Sequence, residues 1–182
     1  MKTITSIILL FAVVILTSCE GEQGRPGYDG VDGVDGIDGE IGSVFQTTGT
    51  FSSANDYTLY YAFPNEIYDG DVVLVYILWN QEESTTGDLL NVWRLLPQTR
   101  ILDEGILQYN YDYTFADVQI FLDGAIDFTT LAPGDVEDQT FRIAVLPAAL
   151  VTNKSIDTSD LNSLMKSLEI NTNSIEKINP VK

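Results

Sequence analysis

The run VVLVYILW at residues 72–79 decides the fold class, because every one of its side chains is apolar. A short apolar run rich in β-branched and aromatic residues is typical of a strand that is buried on both faces. A polar segment follows at residues 80–88, and a second strand-like segment follows at residues 89–96. The two segments are therefore predicted to form a hairpin joined by the polar loop 80–88.

Further strand signals lie on both sides of this hairpin. Residues 57–63 alternate in polarity, and residues 105–113 place Leu107 and three tyrosines on one side and four mostly polar residues on the other. Residues 118–122 and 125–128 flank Asp123-Gly124, which predicts a two-residue type I′ turn. Residues 139–146 form the last strand, which Pro147 ends.

These segments predict an all-β domain over residues 44–150. Seven or eight short strands with frequent turn signals indicate a two-sheet β-sandwich of immunoglobulin-like or jelly-roll type. The pattern does not choose between these two topologies.

The first eighteen residues have the pattern of a secretion signal. Lys2 supplies a positive start, residues 7–16 are ten consecutive apolar residues, and Leu16-Thr17-Ser18 leads to Cys19. Ten residues are too few to span a bilayer, which needs about twenty. The sequence Leu-Thr-Ser-Cys resembles the lipobox of bacterial lipoproteins, which implies cleavage before Cys19 and acylation of its thiol. The alternative is an ordinary secretory signal followed by an unrelated cysteine.

Residues 19–43 form a predicted acidic stalk. Glycine stands at every third position from Gly21 to Gly42, and acids occupy the third position of four triplets: Asp29, Asp32, Asp35 and Asp38. A strict Gly-X-Y period is what a collagen triple helix needs, so the segment resembles a bacterial collagen-like stalk and a homotrimer becomes one prediction. The alternative is a flexible acidic linker, because Pro26 is the segment's only proline and the carboxylates repel each other.

Residues 151–182 form a polar C-terminal segment. Leu161, Leu164, Met165 and Leu168 are spaced as the apolar stripe of one short helix, with Asp157 and Ser159 as candidate cap residues. We expect this stripe to pack on the chain's own domain and residues 171–182 to be loose.

Composition excludes several kinds of chemistry. The chain has no histidine, and Cys19 is its only cysteine, so histidine-dependent catalysis and thiolate metal sites are excluded. The formal net charge of −18 argues against nucleic acid as a partner. We do not expect an enzyme. A hydrolase that uses two carboxyl groups is a remote alternative, because glycoside hydrolysis needs no histidine.

Two sets of residues are candidate binding sites. We expect no cofactor, but calcium is the candidate ion, because it binds carboxylates without histidine or cysteine. Its candidate ligands are the stalk acids Asp29, Asp32, Asp35 and Asp38 and the cluster Asp135, Glu137 and Asp138; the alternative is that these acids are simply solvated. Tyr109, Tyr111 and Tyr113 form a candidate binding face, and the alternative for them is packing between the sheets.

The lipobox, the glycine period and the small β-domain together resemble collagen-like lipoproteins of Bacteroidota and similar bacteria. Glu20 and Glu22 resemble the acidic signal that directs such proteins to the outer-membrane surface. The resemblance implies a membrane partner through the lipid anchor and a β-domain presented for adhesion or for contact with an envelope protein. A glycan- or calcium-binding accessory lipoprotein is the alternative. The family brings no catalytic residues.

Overall fold

The computed structural model describes residues 42–153, 156–172 and 175–181. The predicted signal peptide at residues 1–18, Cys19 and all but the last residues of the stalk lie outside this part. The strands are β1 Ser43–Gly49, β2 Thr58–Ala62, β3 Val72–Glu83, β4 Leu89–Leu95, β5 Gln98–Leu102, β6 Gly105–Tyr113, β7 Asp117–Gly124, β8 Gln139–Leu146 and β9 Glu176–Lys177. The α-helices are α1 Pro133–Val136, α2 Ala148–Asn153 and α3 Leu161–Ser167, and short 3₁₀ turns span Ser53–Asn55 and Phe128–Thr130.

The strands form two sheets, which confirms the predicted all-β, two-sheet class. The first sheet has the order β4-β3-β8-β1-β9 and the second has the order β2-β7-β6-β5. Strand β1 pairs with β8 in one sheet and β2 pairs with β7 in the other, both antiparallel, so segments from the two ends of the domain meet in each sheet.

Residues 72–79 lie in the interior of the first sheet, between β4 and β8. Val73, Val75 and Ile77 face the second sheet and belong to the main core, whereas Tyr76 lies in a second core on the other side. The continuous apolar run follows from this position, because both faces of the strand are covered.

The second core lies under helix α3. Leu161, Leu164, Met165 and Leu168 are buried against the outer face of the first sheet, as the spacing predicted. The cap is Asp160, which is neither of the predicted cap residues: it lies one position after Ser159 and three after Asp157, and its carboxylate accepts a hydrogen bond from the backbone N–H of Asn162. Asp157 instead accepts hydrogen bonds from Ser159 in the preceding turn.

The predicted loop 80–88 is shorter than expected. Strand β3 continues to Glu83, and residues 80–83 pair with residues 89–92 of β4. These residues of β3 are polar because this part of the hairpin is exposed to solvent. Polarity here indicates exposure and not the end of the strand.

The predicted turn at Asp123-Gly124 is wrong. Gly124 is the last residue of β7 and is paired with Leu107, and residues 125–128 form no strand. The Asp127 carboxylate accepts a hydrogen bond from the backbone N–H of Thr129 and so begins a 3₁₀ turn. The two-residue connection lies instead at Asp103-Glu104, between β5 and β6.

The C-terminal segment is not loose in its described part. Glu176 and Lys177 form β9, which pairs in parallel with β1, and the backbone N–H of Val181 donates to the carbonyl of Tyr60 at 2.7 Å. These pairings cover the outer edge of β1 and part of the edge of β2, which would otherwise expose backbone groups.

Candidate functional site

The tyrosine row of β6 points into the core at its first two members. Tyr109 is 1% exposed, its ring lies 6.4 Å from that of Trp79, and its hydroxyl donates to the carbonyl of Asp135 at 2.8 Å. Tyr111 is half-buried and donates to the carbonyl of Val73 at 3.1 Å. Tyr113, at the end of the strand, is exposed. The predicted binding face of Tyr109, Tyr111 and Tyr113 is therefore corrected, because the rings of Tyr109 and Tyr111 pack in the core between the sheets.

The acidic cluster before β8 does not form a metal site. Asp135 is buried and forms an ion pair with Arg100, while Glu137 and Asp138 are exposed. Within the residues that the structure describes, no group of three or more carboxylate, histidine or cysteine side chains is placed to hold an ion. The calcium prediction for Asp135, Glu137 and Asp138 is corrected accordingly, because the three carboxylates do not converge and that of Asp135 is paired with Arg100. Asp29, Asp32, Asp35 and Asp38 lie outside the described residues, as does Cys19.

Arginine–tryptophan stacking is a feature that sequence reasoning missed. The guanidinium carbon of Arg94 lies 4.3 Å from the ring centroid of Trp79, and that of Arg100 lies 5.5 Å from the same centroid. The guanidinium carbon of Arg142 lies 4.4 Å from the centroid of Trp93. All three arginines in the described part of the chain therefore contact an indole ring. The cation–π attraction favours each guanidinium at its position beside the ring.

The outer faces of the two sheets differ. Helix α3 covers the first, whereas the outward side chains of the second sheet are exposed or half-buried. Hydrogen bonds connect three of them, first along β6 and then across to β5: Asn110 Nδ2 donates to Gln108 Oε1 at 2.8 Å, and Gln108 Nε2 donates to Thr99 Oγ1 at 3.3 Å. We call this surface the open face and define it by Tyr60, Thr99, Gln108, Asn110, Asp112, Gln119 and Phe121.

The polar side chains of the open face alternate with the core residues of β6. The sequence places Gln108, Asn110 and Asp112 opposite the tyrosines, and this alternation was the available signal for an outward polar face. Strand pairing then aligns Asp112 with Gln119 of β7 and Gln119 with Tyr60 of β2. These three residues lie in one row because distant strands pair, and the sequence alone does not predict which strands pair.

A cleft of about 360 Å³ lies at the end of the sandwich where β1 begins. Its walls include Phe45, Phe63 and Ile67, and its acidic residues are Glu66, Asp71 and Glu176. No lysine or arginine is among the described residues that line it, so a neutral or cationic molecule suits it better than an anion.

Two carboxyl groups, those of Asp127 and Asp157, have lowered pKa values. Side-chain and backbone hydrogen bonds from Thr129 hold the pKa of Asp127 below its usual value, and those from Ser159 do the same for Asp157. A glycosidase acid needs a raised pKa so that it stays protonated. These two carboxyl groups are therefore poor candidates for the acid of a hydrolase.

Comparison with protein-family models, with curated proteins and with solved structures finds no match to this chain. Among the described residues, no helix has both the length and the apolar character needed to cross a membrane.

Proposed function

We propose that the chain is a lipid-anchored bacterial lipoprotein that acts by binding rather than by catalysis, and that its β-sandwich is presented for adhesion or for contacts within the cell envelope. The proposal places acylated Cys19 in the outer membrane and the β-domain on the cell surface. Two or three acyl chains would make the anchor stable, because one chain gives only marginal membrane binding.

The observation that supports a binding role is the difference between the two outer faces. Four buried side chains from α3 and its C-terminal end pack on the outer face of the first sheet. The open face of the second sheet carries polar and aromatic side chains that α3 does not cover. Tyr60 is 46% exposed there, and aromatic groups of this kind contribute much of the energy at binding surfaces.

The anchor is tested by expressing the full chain and Cys19→Ala in a Gram-negative host. The expected result is that the wild-type chain enters the membrane fraction with an acylated N-terminal peptide, seen by mass spectrometry, and that the variant does not. Protease added to intact cells should degrade the wild-type domain if it faces outward. Equal membrane retention of the Cys19→Ala chain would contradict the anchor.

A glycan is the second candidate ligand, and the hydrogen-bonded amides of the open face favour it. Side-chain amides both donate and accept hydrogen bonds, as sugar hydroxyls do, and Tyr60 provides a ring against which a sugar can pack. Binding of intact cells to a panel of glycans should fall when Asn110→Ala is introduced. The matched control is Lys166→Ala, because Lys166 is exposed on α3 beside the other sheet.

Trimerisation through the stalk is a separate proposal. A triple helix admits only glycine at every third position, so Gly30→Ala together with Gly33→Ala should weaken a trimer. Sedimentation of the detergent-solubilised full chain measures this directly. A monomer in the wild-type chain would leave the flexible linker as the better description of the stalk.

A further inference from the structure

Arg142 is a buried arginine in the interior of the first sheet. It lies on β8, paired in register with Tyr76 of β3 on one side and Gln46 of β1 on the other. It is 6% exposed, although it carries a formal charge. Arginine is seldom buried to this extent unless it is paired with an acid.

The contacts of Arg142 are with neutral groups. Its Nε donates to Gln46 Oε1 at 3.2 Å, its Nη1 lies 3.5 Å from the sulfur of Met165, and its guanidinium carbon lies 4.4 Å from the ring centroid of Trp93. Among the described residues, no carboxylate forms an ion pair with it within 4.0 Å. A guanidinium has five N–H donors, so these contacts leave donors for another acceptor. Burial also lowers the pKa of Arg142, which is the cost of holding this charge away from water.

A cleft of about 460 Å³ opens onto Arg142, between β4 and the beginning of α3. This volume lies within the range of small-molecule sites. Leu90, Val92 and Trp93 form its apolar side, and Leu90 is 55% exposed. Glu82 and Asp160 supply two carboxylates on its lining.

The two acids have local partners but also retain the capacity to accept hydrogen bonds. Glu82 accepts from Asn80 Nδ2 at 3.3 Å, and Asp160 accepts from the backbone of Asn162 and the hydroxyl of Ser163. Each carboxylate has about four lone-pair positions. The cleft therefore presents one buried cation and two carboxylates to the same small volume.

We propose that this cleft binds a small zwitterion with an apolar side chain, namely a free amino acid or a short peptide. The ligand's carboxylate bonds to the Arg142 guanidinium, its ammonium group lies near Glu82 and Asp160, and its side chain packs along Leu90, Val92 and Trp93. A simple anion is disfavoured by the two acids, and a simple cation is disfavoured by the arginine. This site is separate from the open face, so the two proposals can fail independently.

Calorimetry on the purified full chain tests the proposal with three matched probes. These are the dipeptide alanyl-phenylalanine, its N-acetyl form and its C-terminal amide. The free dipeptide should bind, and each blocked form should bind at least about tenfold more weakly, because each lacks one of the two charges. No heat from the free dipeptide at about 10 mM, a concentration well above the usual range of weak specific binding, would overturn the proposal. Equal affinity of the free acid and the amide would overturn it as well.

Variants separate the two ends of the ligand. Glu82→Gln should weaken binding of the free dipeptide but not of its N-acetyl form, and Glu83→Gln is the matched control because Glu83 does not line the cleft. Arg142→Lys should reduce affinity about tenfold, since lysine cannot bond a carboxylate through a planar fork. If Arg142→Lys fails to fold, the comparison of Glu82→Gln with Glu83→Gln and the two blocked dipeptides still test the proposed site. Equal affinities in Glu82→Gln and Glu83→Gln would contradict the ammonium site.

Discussion

The hydroxyl of Tyr109 donates a 2.8 Å hydrogen bond to the backbone carbonyl of Asp135, and this bond joins strand β6 to helix α1 inside the protein. The same ring packs 6.3 Å from the ring of Phe51 and 6.4 Å from that of Trp79. Tyr109 therefore connects the two sheets and the loop region before β8, which explains why it is unavailable to an external partner.

Replacement of this hydroxyl should destabilise the fold. Tyr109→Phe keeps the ring but leaves the buried carbonyl of Asp135 without its donor, which should cost about 1–3 kcal/mol of unfolding free energy. Tyr113→Phe is the matched control, because Tyr113 is 44% exposed, and it should change stability by less than about 0.5 kcal/mol. Urea unfolding measures both. Equal losses would show that the Tyr109 hydrogen bond contributes nothing specific.

Gly124 should resist substitution more than Gly134. A Cβ added at Gly124 would lie 2.3 Å from the carbonyl oxygen of Ile106, at a backbone φ of +153°, whereas a Cβ at Gly134 would meet nothing within 4 Å. Gly124→Ala should therefore cost about 1–3 kcal/mol, and Gly134→Ala should be close to neutral or slightly stabilising. The melting temperatures of the two variants provide the comparison. A similar melting temperature for both would contradict the close approach at Gly124.

The fold class was predictable because burial imposes local patterns. The apolar run 72–79, the alternation in residues 105–113 and the stop at Pro147 each follow from the neighbours of a single strand. Gly124 was correctly singled out but for the wrong reason, because the close approach of Ile106 depends on pairing between strands. Likewise, the polar residues 80–83 suggested a loop because the length of an exposed hairpin is not encoded in hydrophobicity.

The candidate sites were less predictable, because they depend on which distant residues meet. The sequence identifies Asp135 as an acid but not its ion pair with Arg100, which is 35 positions away. The tyrosine row was found, yet its direction depends on which side of β6 the other sheet covers. Arg142 gave no signal, since a lone arginine between Phe141 and Ile143 does not show in the sequence which residues will surround it.

Helix α3 should be an integral part of the domain. Leu164 is fully buried between the helix and the first sheet, so Leu164→Ala should cost about 2–5 kcal/mol through lost contacts and a cavity. Lys166→Ala, on the exposed side of the same helix, should cost less than about 0.5 kcal/mol. Urea unfolding followed by circular dichroism measures both. A small loss for Leu164→Ala would indicate that the helix packs only loosely.

Alkaline pH should unfold the domain through its buried tyrosines. Burial raises the pKa of Tyr61, Tyr76 and Tyr109 above the usual value of 10.0, and Tyr111, Asp157 and Asp160 raise that of Tyr76 further. A group whose folded pKa is raised contributes stability that is complete below its unfolded pKa and is lost as pH rises through the folded pKa. Loss of stability should therefore begin above about pH 10.

Absorbance at the phenolate band, with circular dichroism in parallel, measures this effect. In the native protein the buried tyrosines should ionise only together with the loss of β-sheet signal, whereas in denaturant all tyrosines should titrate near their ordinary pKa. Complete ionisation near pH 10 with an unchanged circular dichroism spectrum would contradict the burial of these hydroxyls.

Removal of Arg100 and removal of Asp135 should destabilise the protein by different amounts, because the Arg100 side chain is 40% exposed and the Asp135 side chain only 9%. Arg100→Met leaves a buried carboxylate without its cation and should cost about 3 kcal/mol. Asp135→Asn should cost less, since Arg100 can reach water and keeps its contact with Trp79. The double variant should be more stable than Arg100→Met alone, because it removes the unpaired charge.

Arg94→Met is the control, since Arg94 stacks on the same ring but has no ion pair among the described residues. This substitution should cost less than about 1 kcal/mol. Urea unfolding of the four variants gives these values, and a loss in Arg100→Met no larger than in Arg94→Met would mean that the ion pair adds nothing to the stacking.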